Sequence, residues 1–447
     1  MFKKVLIANR GEIALRVVRT CRDLGIKTVA VHSTIDSESM HVRLADEAVC
    51  IGEPSIKKSY LNPAPILAAA EITNSDAIHP GAGFLSENPD FASMVAKHKM
   101  KFIGPTSEQI KMFGDKLLAK QLMKKNGLPV IPGSEKYLKN IEESKKIAKK
   151  IGYPVILKAG SGGGGKGIRV IKNEKDLIQS YPIVKQEVLN SFGNQNVYLE
   201  KFFNNPKHIE VQIVADKKGK IIHLGERDCS IQRNKQKIIE ETPSPVLSNK
   251  ERNYICNLVV KTIKKIGYES LGTVEMLYYK RKFYFMEMNT RVQIEHTITE
   301  RVTGIDLIKQ QIKIAAGQEL KLNQKDIKNG GHSIQCRINA EDPLTFIPSP
   351  GRIKEYHAPG GPGVRVDSAL YAGCIVPQQY DNLISKVIIY SRNRNEAILR
   401  LKRCLIEYVI NGIKTNIPLH LKILNNKEYI SGKYHINWLE HFLSVQN

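Results

Sequence analysis

Apolar runs and helical repeats alternate through the first hundred residues. Residues 5–8 form an apolar run, residues 13–24 repeat apolar side chains at helical spacing, and residues 28–31 form a second apolar run. A strand, a helix and a strand in this order are typical of a βαβ unit with parallel strands. The alternation continues to about Gly104. The pattern therefore predicts an α/β domain built on a parallel sheet.

The middle of the chain predicts a smaller α/β lobe reached through a turn-rich connection. A helix is predicted over residues 116–125, with Asp115 placed to cap its N-terminus. Pro and Gly residues at 126–133 indicate a hinge, and helical spacing recurs over 145–151. Strands are predicted at residues 154–158, 168–171, 197–203 and 208–215, the last with His208, Glu210 and Gln212 on one face. The dense polar run at 225–237 predicts a solvated loop.

The last part of the chain begins with a predicted hairpin. Residues 272–277 predict a buried strand, and a turn near 280–282 would bring the chain back beside it. Residues 304–316 predict a helix, and Asn-Gly-Gly at 329–331 indicates a boundary. Short strands separated by Gly and Pro turns follow, with a closing helix at about 396–405.

Polar side chains occupy every second position of the returning strand. They are Glu287, Asn289, Arg291, Gln293 and Glu295, with mostly apolar residues between them. Alternate side chains of a strand share one face, and positions two apart are separated by roughly 6.6 Å, so neighbouring oxygens can hold a hard cation such as Mg²⁺. An edge strand with a charged outer face is the alternative. The row contains no Lys or Ser, which favours a site.

A single small site on this row requires a bend in the chain. Fully extended, Glu287 to Glu295 would span about 26 Å, so the five side chains converge only if the chain bends after Asn289. Glu275, on the other strand of the predicted hairpin, would face Glu287. Two facing carboxylates repel each other unless a cation lies between them, which supports a Mg²⁺ site.

A glycine-rich loop separates two of the predicted strands. It contains Gly162, Gly163, Gly164, Gly165, Lys166 and Gly167. A strand follows where a dinucleotide motif needs a helix, and Gly167 stands where a P-loop needs Ser or Thr. Backbone N–H groups without Cβ atoms can close over phosphate oxygens. A structural turn is the alternative, but it does not need four consecutive glycines, so we predict a mobile phosphate lid.

Composition and charge narrow the class of protein. The 447 residues suffice for two to four domains, and Lys plus Arg outnumber Asp plus Glu by 68 to 44. The lysines are spread along helices without a dense Arg block or an aromatic-interleaved basic motif, so we predict solvated faces and no nucleic acid partner. Seven cysteines without a C-x-x-C pair indicate a reducing compartment. With no leader and no apolar run near ~20 residues, we expect a soluble protein without a membrane partner.

Five motifs, in order along nearly the whole chain, resemble those of biotin carboxylases in the ATP-grasp superfamily. They are Asn-Arg-Gly-Glu-Ile-Ala at 9–14, His-Pro-Gly-Ala-Gly-Phe-Leu-Ser-Glu-Asn at 79–88, the glycine-rich loop, Glu-Met-Asn-Thr-Arg-Val-Gln-Ile-Glu-His at 287–296, and Cys-Arg-Ile-Asn-Ala-Glu-Asp at 336–342. The resemblance implies a three-domain α/β fold. Its parts would be a Rossmann-like N-terminal domain over 1–113, an ATP-grasp domain over 114–330 with a mobile lid at about 131–203, and a mixed α+β C-terminal domain over 331–447.

The resemblance also implies a role for each matching residue. Two Mg²⁺ ions, or Mn²⁺, would be held by Glu275, Glu287 and Asn289. ATP would be bound by Lys116, Lys158, the 162–167 loop, Glu200, Lys201, Phe203, His208, Gln232 and Lys235, together with Glu275 and Glu287. Bicarbonate and biotin would be bound by Lys237, Arg291, Gln293, Ile294 and Arg337. Arg291, Glu295, Lys237 and Arg337 would be catalytic, with Glu295 as the general base and Arg337 stabilising the biotin enolate.

The implied reaction is the ATP- and bicarbonate-dependent carboxylation of biotin through carboxyphosphate. The sequence contains no Ala-Met-Lys-Met biotin attachment site, so biotin is expected on a separate biotin carboxyl carrier protein. The resemblance implies the first half-reaction of acetyl-CoA carboxylase, which leads to malonyl-CoA for fatty acid synthesis. It also implies carboxyltransferase subunits, a homodimer, and a place in the cytoplasm or a plastid stroma. The same half-reaction in another acyl-CoA or pyruvate carboxylase is the alternative.

Some positions depart from the usual family residues. Ala82 and Gln379 replace Tyr, Lys235 and Ala369 replace His, Lys166 replaces Arg, and Thr297 replaces Pro. These departures leave open a weakly active carboxylase. Two further alternatives are an ATP-grasp ligase of the carbamoyl phosphate or purine type and a basic interaction protein. Stimulation of ATP hydrolysis by free biotin would separate a biotin carboxylase from the other ligases.

Overall fold

The first hundred residues form a parallel sheet covered by helices in this computed structural model, which describes residues 1–160 and 167–446. The elements are β1 (Lys4–Ile7), α1 (Gly11–Asp23), β2 (Lys27–Ser33), α2 (Met40–Leu44), β3 (Glu47–Gly52), α3 (Pro63–Ile72), β4 (Ala77–His79), α4 (Pro89–Lys97) and β5 (Lys101–Phe102). The strands lie in the order β3–β2–β1–β4–β5, and every pair is parallel. The predicted parallel sheet is confirmed.

The strand order reverses beside β1, and two loops meet at this point. The side-chain amide of Asn9, after β1, donates to the carbonyls of Pro80 and Ala82, after β4, at 2.7 and 2.9 Å. Gly81 has φ +65°, and a Cβ there would lie 2.7 Å from the Asn9 amide nitrogen. The close approach therefore requires glycine. Crevices at such reversal points are where open α/β sheets bind ligands.

A smaller antiparallel sheet follows. The elements of this part are α5 (Ser107–Gly114), α6 (Lys116–Lys125), α7 (Ile141–Ile151), β6 (Val155–Ala159), β7 (Ile168–Ile171), α8 (Glu174–Phe192) and β8 (Val197–Lys201). The strands lie in the order β7–β6–β8, and Lys158 pairs with Ile168. The predicted hairpin around the glycine-rich loop is confirmed. Gly162, Gly163, Gly164, Gly165 and Lys166 lie outside the described residues.

The rest of the chain builds a large antiparallel sheet. The elements up to residue 315 are β9 (Lys207–Ala215), β10 (Ile221–Arg233), β11 (Gln236–Thr242), α9 (Asn249–Ile266), β12 (Ser270–Tyr279), β13 (Lys282–Asn289), α10 (His296–Thr303) and α11 (Leu307–Ala315). The later ones are β14 (His332–Asn339), β15 (Gly351–Arg352), β16 (Glu355–His357), β17 (Val364–Ser368), β18 (Ile375–Val376), β19 (Leu383–Ser391), α12 (Arg394–Glu407), β20 (Val409–Asn411), α13 (Ile417–Asn425), α14 (Lys427–Ile430) and α15 (Trp438–Gln446).

This large sheet crosses the boundary predicted near residue 330. Its order is β13–β12–β9–β10–β11–β14–β19–β17, so β11 pairs directly with β14. Buried apolar residues join the parts further. Ile13 of α1 belongs to one core cluster with Leu307 of α11, and Ile239 of β11 belongs to another with Leu401 of α12. Side chains from distant parts of the sequence are therefore fixed relative to one another.

Two expectations about local structure are wrong. The polar run at 225–237 favours a solvated loop by composition, but most of it lies in buried strands β10 and β11. Most of its charged side chains are paired with opposite charges, such as Arg227 with Glu210 and Lys237 with Glu295, which permits their burial. The helix predicted at about 396–405 corresponds to α12 but does not close the chain, because α13, α14 and α15 follow it.

Other local predictions are confirmed. The Asp115 side chain accepts from the backbone N–H groups of Leu117 and Leu118, so it caps α6 as predicted. The turn between β12 and β13 falls at Lys280 and Arg281, which both have positive φ. Within the described residues, no helix combines the length and the apolar character needed to cross a bilayer.

Candidate active site

The hairpin of β12 and β13 carries the first part of the site. Glu275 and Glu287 are direct partners across the antiparallel pair, as predicted. β13 ends at Asn289, and the chain then turns irregularly until α10 begins at His296. This is the predicted bend. It brings the later part of the polar row back toward the hairpin instead of extending away from it.

A cavity of about 730 Å³ lies over this hairpin. Its wall contains all of the predicted binding and catalytic residues that the structure describes except Gly167 and Glu295. They are Lys116, Lys158, Glu200, Lys201, Phe203, His208, Gln232, Lys235, Lys237, Glu275, Glu287, Asn289, Arg291, Gln293, Ile294 and Arg337. Glu295 lies just behind the wall and is fully buried.

The predicted metal ligands lie together on one wall. The Asn289 amide donates to Glu275 Oε1 at 2.9 Å, and Glu287 is the cross-strand neighbour of Glu275. Lys116 Nζ lies 3.0 Å from Glu287 Oε2, so an ammonium compensates this carboxylate. Two carboxylates and an amide oxygen facing a cavity are the hard oxygen donors that Mg²⁺ prefers. The residues therefore fit the predicted ion.

Lys237 lies between three carboxylates. Its Nζ donates to Glu210 Oε2, Glu275 Oε1 and Glu295 Oε1 at 2.6, 2.8 and 2.6 Å. Burial by itself would lower the pKa of Lys237, but the three carboxylates raise this pKa well above its usual range. The side chain is therefore a fixed cation in the cavity wall. Sequence reasoning placed Glu210 on one strand face with His208 and did not recognise its partnership with Lys237.

Glu295 is held by two cations. Its Oε1 accepts from Lys237, and its Oε2 lies 3.0 Å from Arg337 Nη2. Burial favours the neutral acid, but Lys237 and Arg337 hold the pKa of Glu295 well below its usual range. The carboxylate is therefore ionised and able to accept a proton once a substrate takes over one of its partners.

Arg337 is also held by Glu240, which does not line the cavity. Its Nε donates to Glu240 Oε1 at 2.5 Å, and Gln335 donates from its amide to Glu240 Oε2 at 2.9 Å. Thr297, at one of the departures from the family pattern, donates to the Gln335 side chain. The Thr297 hydroxyl therefore joins the network that orients Arg337. Glu240 was not predicted as a site residue, since only its position within the polar 225–242 region pointed to it.

Arg291 bridges the polar row to the N-terminal domain. Its Nε donates to Glu87 Oε2 at 2.8 Å, and its Nη atoms donate to the side-chain oxygens of Gln293 and Asn289 at 3.0 and 3.1 Å. Glu87 belongs to the 79–88 motif, but sequence reasoning gave it no role. Burial would lower the pKa of Arg291, whereas Glu87 raises it, so the guanidinium stays charged.

The opposite end of the cavity combines cations and aromatic rings. Lys158 and Lys120 both donate to Glu200, at 2.7 and 2.9 Å. The Phe203 ring packs on Tyr279 and Tyr284, with centroid distances of 4.8 and 4.7 Å. This end of the wall therefore has the Phe203 ring and Lys158, while Lys120 and the two tyrosines support them without lining the cavity. Lys120 and both tyrosines were missed by sequence reasoning because nothing in their local sequence distinguishes them from core and surface residues.

Lys201 does not direct its charge into the cavity. Its Nζ donates to the backbone carbonyls of Gly152 and Tyr153 at 2.8 and 3.2 Å. Its backbone N–H donates to the carbonyl of Pro132 at 2.7 Å. The residue lines the cavity, but these bonds leave its ammonium a structural role in joining β8 to the end of α7.

His208 and Gln232 form a pair beside Glu275. Gln232 Nε2 lies 2.9 Å from His208 Nδ1, and His208 Nε2 lies 3.1 Å from Glu275 Oε2. Lys235 lies at the hairpin turn between β10 and β11 with φ 66°. Burial, followed by the nearby charges of Lys158 and Lys116, lowers the pKa of Lys235. The structure thus brings Lys235 to the same end of the cavity as these lysines.

Arg227, a fully buried residue of β10, supports the cavity wall through β9, the neighbouring strand. Arg227 donates from Nη1 to Gln212 Oε1 at 2.7 Å and to Thr299 Oγ1 at 3.0 Å, and its Nε pairs with Glu210. Arg227 therefore fixes the carboxylate that holds Lys237. Its charge is balanced by a partner 17 residues away in sequence, so no local pattern identified it.

Ala82 lines the cavity near Arg10 and Tyr380. The Arg10 guanidinium lies 4.1 Å from the Tyr380 ring centroid and pairs with Asp36. Tyr380 directly follows Gln379, which departs from the family pattern. The tyrosine at 380 therefore keeps an aromatic ring on this side of the cavity, whereas Ala82 presents only a methyl group.

Three family patterns cover nearly the whole chain. Residues 1–110 match the pattern described as biotin carboxylase, N-terminal domain. Residues 115–323 match carbamoyl-phosphate synthase L chain, ATP binding domain, and residues 335–441 match biotin carboxylase C-terminal domain.

Relatives match over the full length. The chain is 52% identical over 443 residues to biotin carboxylase 1 of Bacillus subtilis, covering 98% of both chains. It is 49% identical over 442 residues to the 2-oxoglutarate carboxylase small subunit of Hydrogenobacter thermophilus, covering 98% of this chain and 93% of that protein.

Solved structures agree with these matches. The biotin carboxylase domain dimer of 2-oxoglutarate carboxylase from Hydrogenobacter thermophilus, in complex with MgADP, ADP and bicarbonate, has a TM-score of 0.97 at 48% identity, covering 100% of this chain and 99% of that one. The biotin carboxylase–β-γ-ATP complex from Campylobacter jejuni has a TM-score of 0.97 at 49% identity, covering 99% of both. The resemblance in the motifs is confirmed, and the chain belongs to the biotin carboxylase family of ATP-dependent ligases.

Proposed function

We propose that this chain uses ATP and bicarbonate to carboxylate biotin carried on a separate protein. The observation that carries the proposal is the arrangement of Glu295, Lys237 and Arg337 beside the oxygen ligands Glu275 and Glu287 in one cavity. An ionised carboxylate, two cations and a set of oxygen donors suited to Mg²⁺ adjoin one another there. Phosphoryl transfer depends mainly on such positioning and electrostatic stabilisation.

ATP would lie along the cavity with its adenine toward Phe203. The rings of Tyr279 and Tyr284 pack against Phe203 and support this apolar surface. Lys116, Lys158 and the glycine-rich loop would hold the phosphates, and His208, Gln232 and Lys235 would complete the nucleotide contacts. Glu275, Glu287 and Asn289 would hold two Mg²⁺ ions, or Mn²⁺, which supply charge neutralisation at the transferred phosphoryl group.

Bicarbonate would bind between Lys237, Arg291 and the backbone at Gln293 and Ile294. A guanidinium with paired donors suits an anion with two oxygens. Glu295 would take the bicarbonate proton, and the oxygen would attack the γ-phosphorus as its bond to the ADP oxygen breaks. The products of this step are ADP and carboxyphosphate. Lys237 and Arg337 keep Glu295 ionised at the start, and its basicity would rise when the substrate anion takes over one of these two cations.

Carboxyphosphate would then break into CO₂ and phosphate. The phosphate takes the proton from the ureido nitrogen of biotin, and this nitrogen attacks CO₂ to give carboxybiotin. Arg337 would stabilise the negative charge on the biotin ureido oxygen. Its position at the cavity wall, fixed by Glu240 and Glu295, supports this assignment.

The carrier and the final acceptor belong to the same proposal. We infer a biotin carboxyl carrier protein and carboxyltransferase subunits as partners, a homodimer of this chain, and acetyl-CoA as the acceptor, giving malonyl-CoA for fatty acid synthesis. The relative and the solved structure from Hydrogenobacter are both named for 2-oxoglutarate carboxylase. These names favour a second candidate, the same half-reaction in a carboxylase with a 2-oxo acid acceptor, such as 2-oxoglutarate or pyruvate.

The activity is tested by ADP release from the purified chain. We expect release that depends on bicarbonate and Mg²⁺ and rises with free biotin. ADP release without any effect of biotin would indicate another ATP-grasp ligase, and absence of bicarbonate-dependent release would contradict the proposal. Transfer from carboxylated carrier to acetyl-CoA, pyruvate or 2-oxoglutarate, with each matching carboxyltransferase in turn, would identify the acceptor.

A further inference from the structure

Lys386 and Arg337 occupy neighbouring positions on adjacent strands. Arg337 of β14 is the direct antiparallel partner of Lys386 of β19. Directly opposed residues of an antiparallel pair point to the same face of a sheet. Two cations of the C-terminal domain therefore project side by side toward the segment that precedes α10.

These two cations bind consecutive residues of that segment. Arg337 Nη2 lies 3.0 Å from the Glu295 carboxylate. Lys386 Nζ donates to the backbone carbonyl of Ile294 at 3.0 Å. Lys386 is fully buried and does not line the cavity itself, so it acts on the site through this peptide and through Glu12, which does line the cavity.

The charge of Lys386 is balanced by two carboxylates. Its Nζ lies 2.9 Å from Glu12 Oε2 on α1 and 3.8 Å from Asp367 Oδ2 on β17. A well-packed apolar side chain is often as stable as a buried ion pair. The stability of the fold therefore does not require a lysine at position 386. The hydrogen bond to the Ile294 carbonyl does require a donor there.

We propose that Lys386 is a positioning residue for Glu295, which it orients by fixing the Ile294 peptide while Arg337 fixes the carboxylate. The inference rests on the proposed function, in which Glu295 accepts the bicarbonate proton. With only Arg337 and Lys237 in place, the carboxylate would keep its partners but the peptide that carries it could rotate. A displacement of about 1 Å at a reacting group can cost roughly 100-fold in rate.

The test is Lys386→Met, assayed for bicarbonate-dependent ADP release. We expect turnover to fall roughly 100-fold, while the KM for ATP stays within about twofold, because the nucleotide end of the cavity is untouched. Arg252→Met is the matched control. Arg252 of α9 pairs with buried Glu226 of β10 at 2.8 Å and, like Lys386, donates to backbone carbonyls, those of Ser244 and Leu247. Neither Arg252 nor Glu226 lines the cavity, so the loss of Arg252 tests a buried ion pair with carbonyl contacts away from the Ile294 peptide. It should leave turnover and KM unchanged.

Two more variants separate positioning from folding. Lys386→Arg keeps a donor and a charge and should retain more turnover than Lys386→Met. If Lys386→Met does not fold, Lys386→Met with Glu12→Gln removes both charges and is compared with Glu12→Gln alone. A roughly 100-fold loss in the double variant relative to Glu12→Gln supports the proposal.

Three outcomes would contradict the positioning role of Lys386. These are unchanged turnover in Lys386→Met, an equal loss of turnover in Arg252→Met, and an effect of Lys386→Met on the KM for ATP as large as its effect on turnover. A wild-type chain that shows no bicarbonate-dependent ADP release would instead contradict the proposed function. The two failures are therefore distinguishable in one experiment.

Discussion

Glu295 has both oxygens bound by cations, Lys237 on one side and Arg337 on the other. Replacing it with Gln keeps the size of the side chain but removes its ability to take a proton. We expect Glu295→Gln to lower bicarbonate-dependent turnover by about 10²- to 10⁴-fold, the usual range for loss of a general base. ATP binding, measured by titration calorimetry, should stay within about twofold. Full turnover in this variant would contradict the assignment of the base.

Arg337 is expected to matter more for biotin than for ATP cleavage. Arg337→Ala removes the group placed to stabilise the biotin ureido oxygen, and it also frees Glu295 Oε2. We therefore expect some loss in biotin-independent, bicarbonate-dependent ATP cleavage and a much larger loss in carboxylation of free biotin. Both rates are measured on the same preparation. Equal losses would exclude the role at the enolate.

Individual residues were predictable only where the family resemblance assigned them a role. Arg291 and Glu295 lie within a family motif and Lys237 was assigned by the wider resemblance, and the structure places all three in or directly behind one wall. Glu210 and Arg227 were missed because their roles depend on each other and on Lys237, which lie on different strands. The role of a buried charged residue depends on the residue it pairs with, and a single sequence does not show which residues the fold will pair.

At the scale of an element, the residue that caps α6, Asp115, directly precedes Lys116 of the cavity wall. Asp115 accepts from the N–H groups of Leu117 and Leu118, and Tyr137 donates to its other oxygen at 2.7 Å. We expect Asp115→Ala to lower the free energy of unfolding by about 1 kcal/mol, the usual cost of a lost N-cap.

Asp115→Asn is the matched control for the cap. Asn keeps an oxygen for the two N–H groups, so its loss should be smaller than that of Ala. Urea denaturation of both variants measures the difference. Equal stability of Asp115→Ala and the wild type would show that the cap does not contribute.

Among the elements, the hairpin of β12 and β13 was predictable because its pattern is local. Alternation, the turn at 280–282 and the facing carboxylates all follow from neighbouring residues. The strands at 225–237 were not predictable in the same way. Their polar composition favours solvent, and only long-range ion pairs such as Arg227 with Glu210 make burial favourable. Local pattern therefore fails where distant charges compensate one another.

At the scale of the whole molecule, a buried ion pair ties the large sheet to the helices after it. Arg394 of α12 donates to Glu241 of β11 at 2.6 and 3.0 Å and to the carbonyls of Tyr429 and Ile430. His332 lies 2.7 Å from the same carboxylate. Burial favours the neutral acid, but Arg394 and His332 hold the pKa of Glu241 below its usual range.

This network predicts a stability that depends on pH. A carboxyl whose folded pKa is depressed stabilises the fold above the unfolded pKa, about 4.3 for Glu, and this contribution is lost as the pH falls further. We expect Arg394→Met to lower the free energy of unfolding by roughly 3–5 kcal/mol at pH 7. The difference from the wild type should narrow below pH about 4.

Urea midpoints at pH 7 and at lower pH measure the effect of Arg394→Met. Arg392→Met is the control, because Arg392 is 89% exposed in its pair with Glu396 and should change neither midpoint. A difference between Arg394→Met and the wild type that is the same at every pH would contradict the linkage to Glu241.

The domain arrangement was predictable in outline from the order of motifs, but the sharing of one sheet was not. Strands from both sides of residue 330 lie in the same sheet, and β14 brings Arg337 beside Glu295 through the pairing of β11 with β14. Strand pairing over about a hundred residues has no signature in a single sequence. The site is therefore a product of the whole molecule, although each of its motifs is local.

The central claim is that bicarbonate, and not water, attacks the γ-phosphate in this cavity. It is tested most directly with bicarbonate labelled with ¹⁸O, by mass spectrometry of the phosphate released during the first minutes of turnover. Attack by a bicarbonate oxygen predicts phosphate carrying one labelled oxygen for each ATP cleaved in the presence of biotin. Unlabelled phosphate formed at the same rate would mean that water is the nucleophile and would contradict the account.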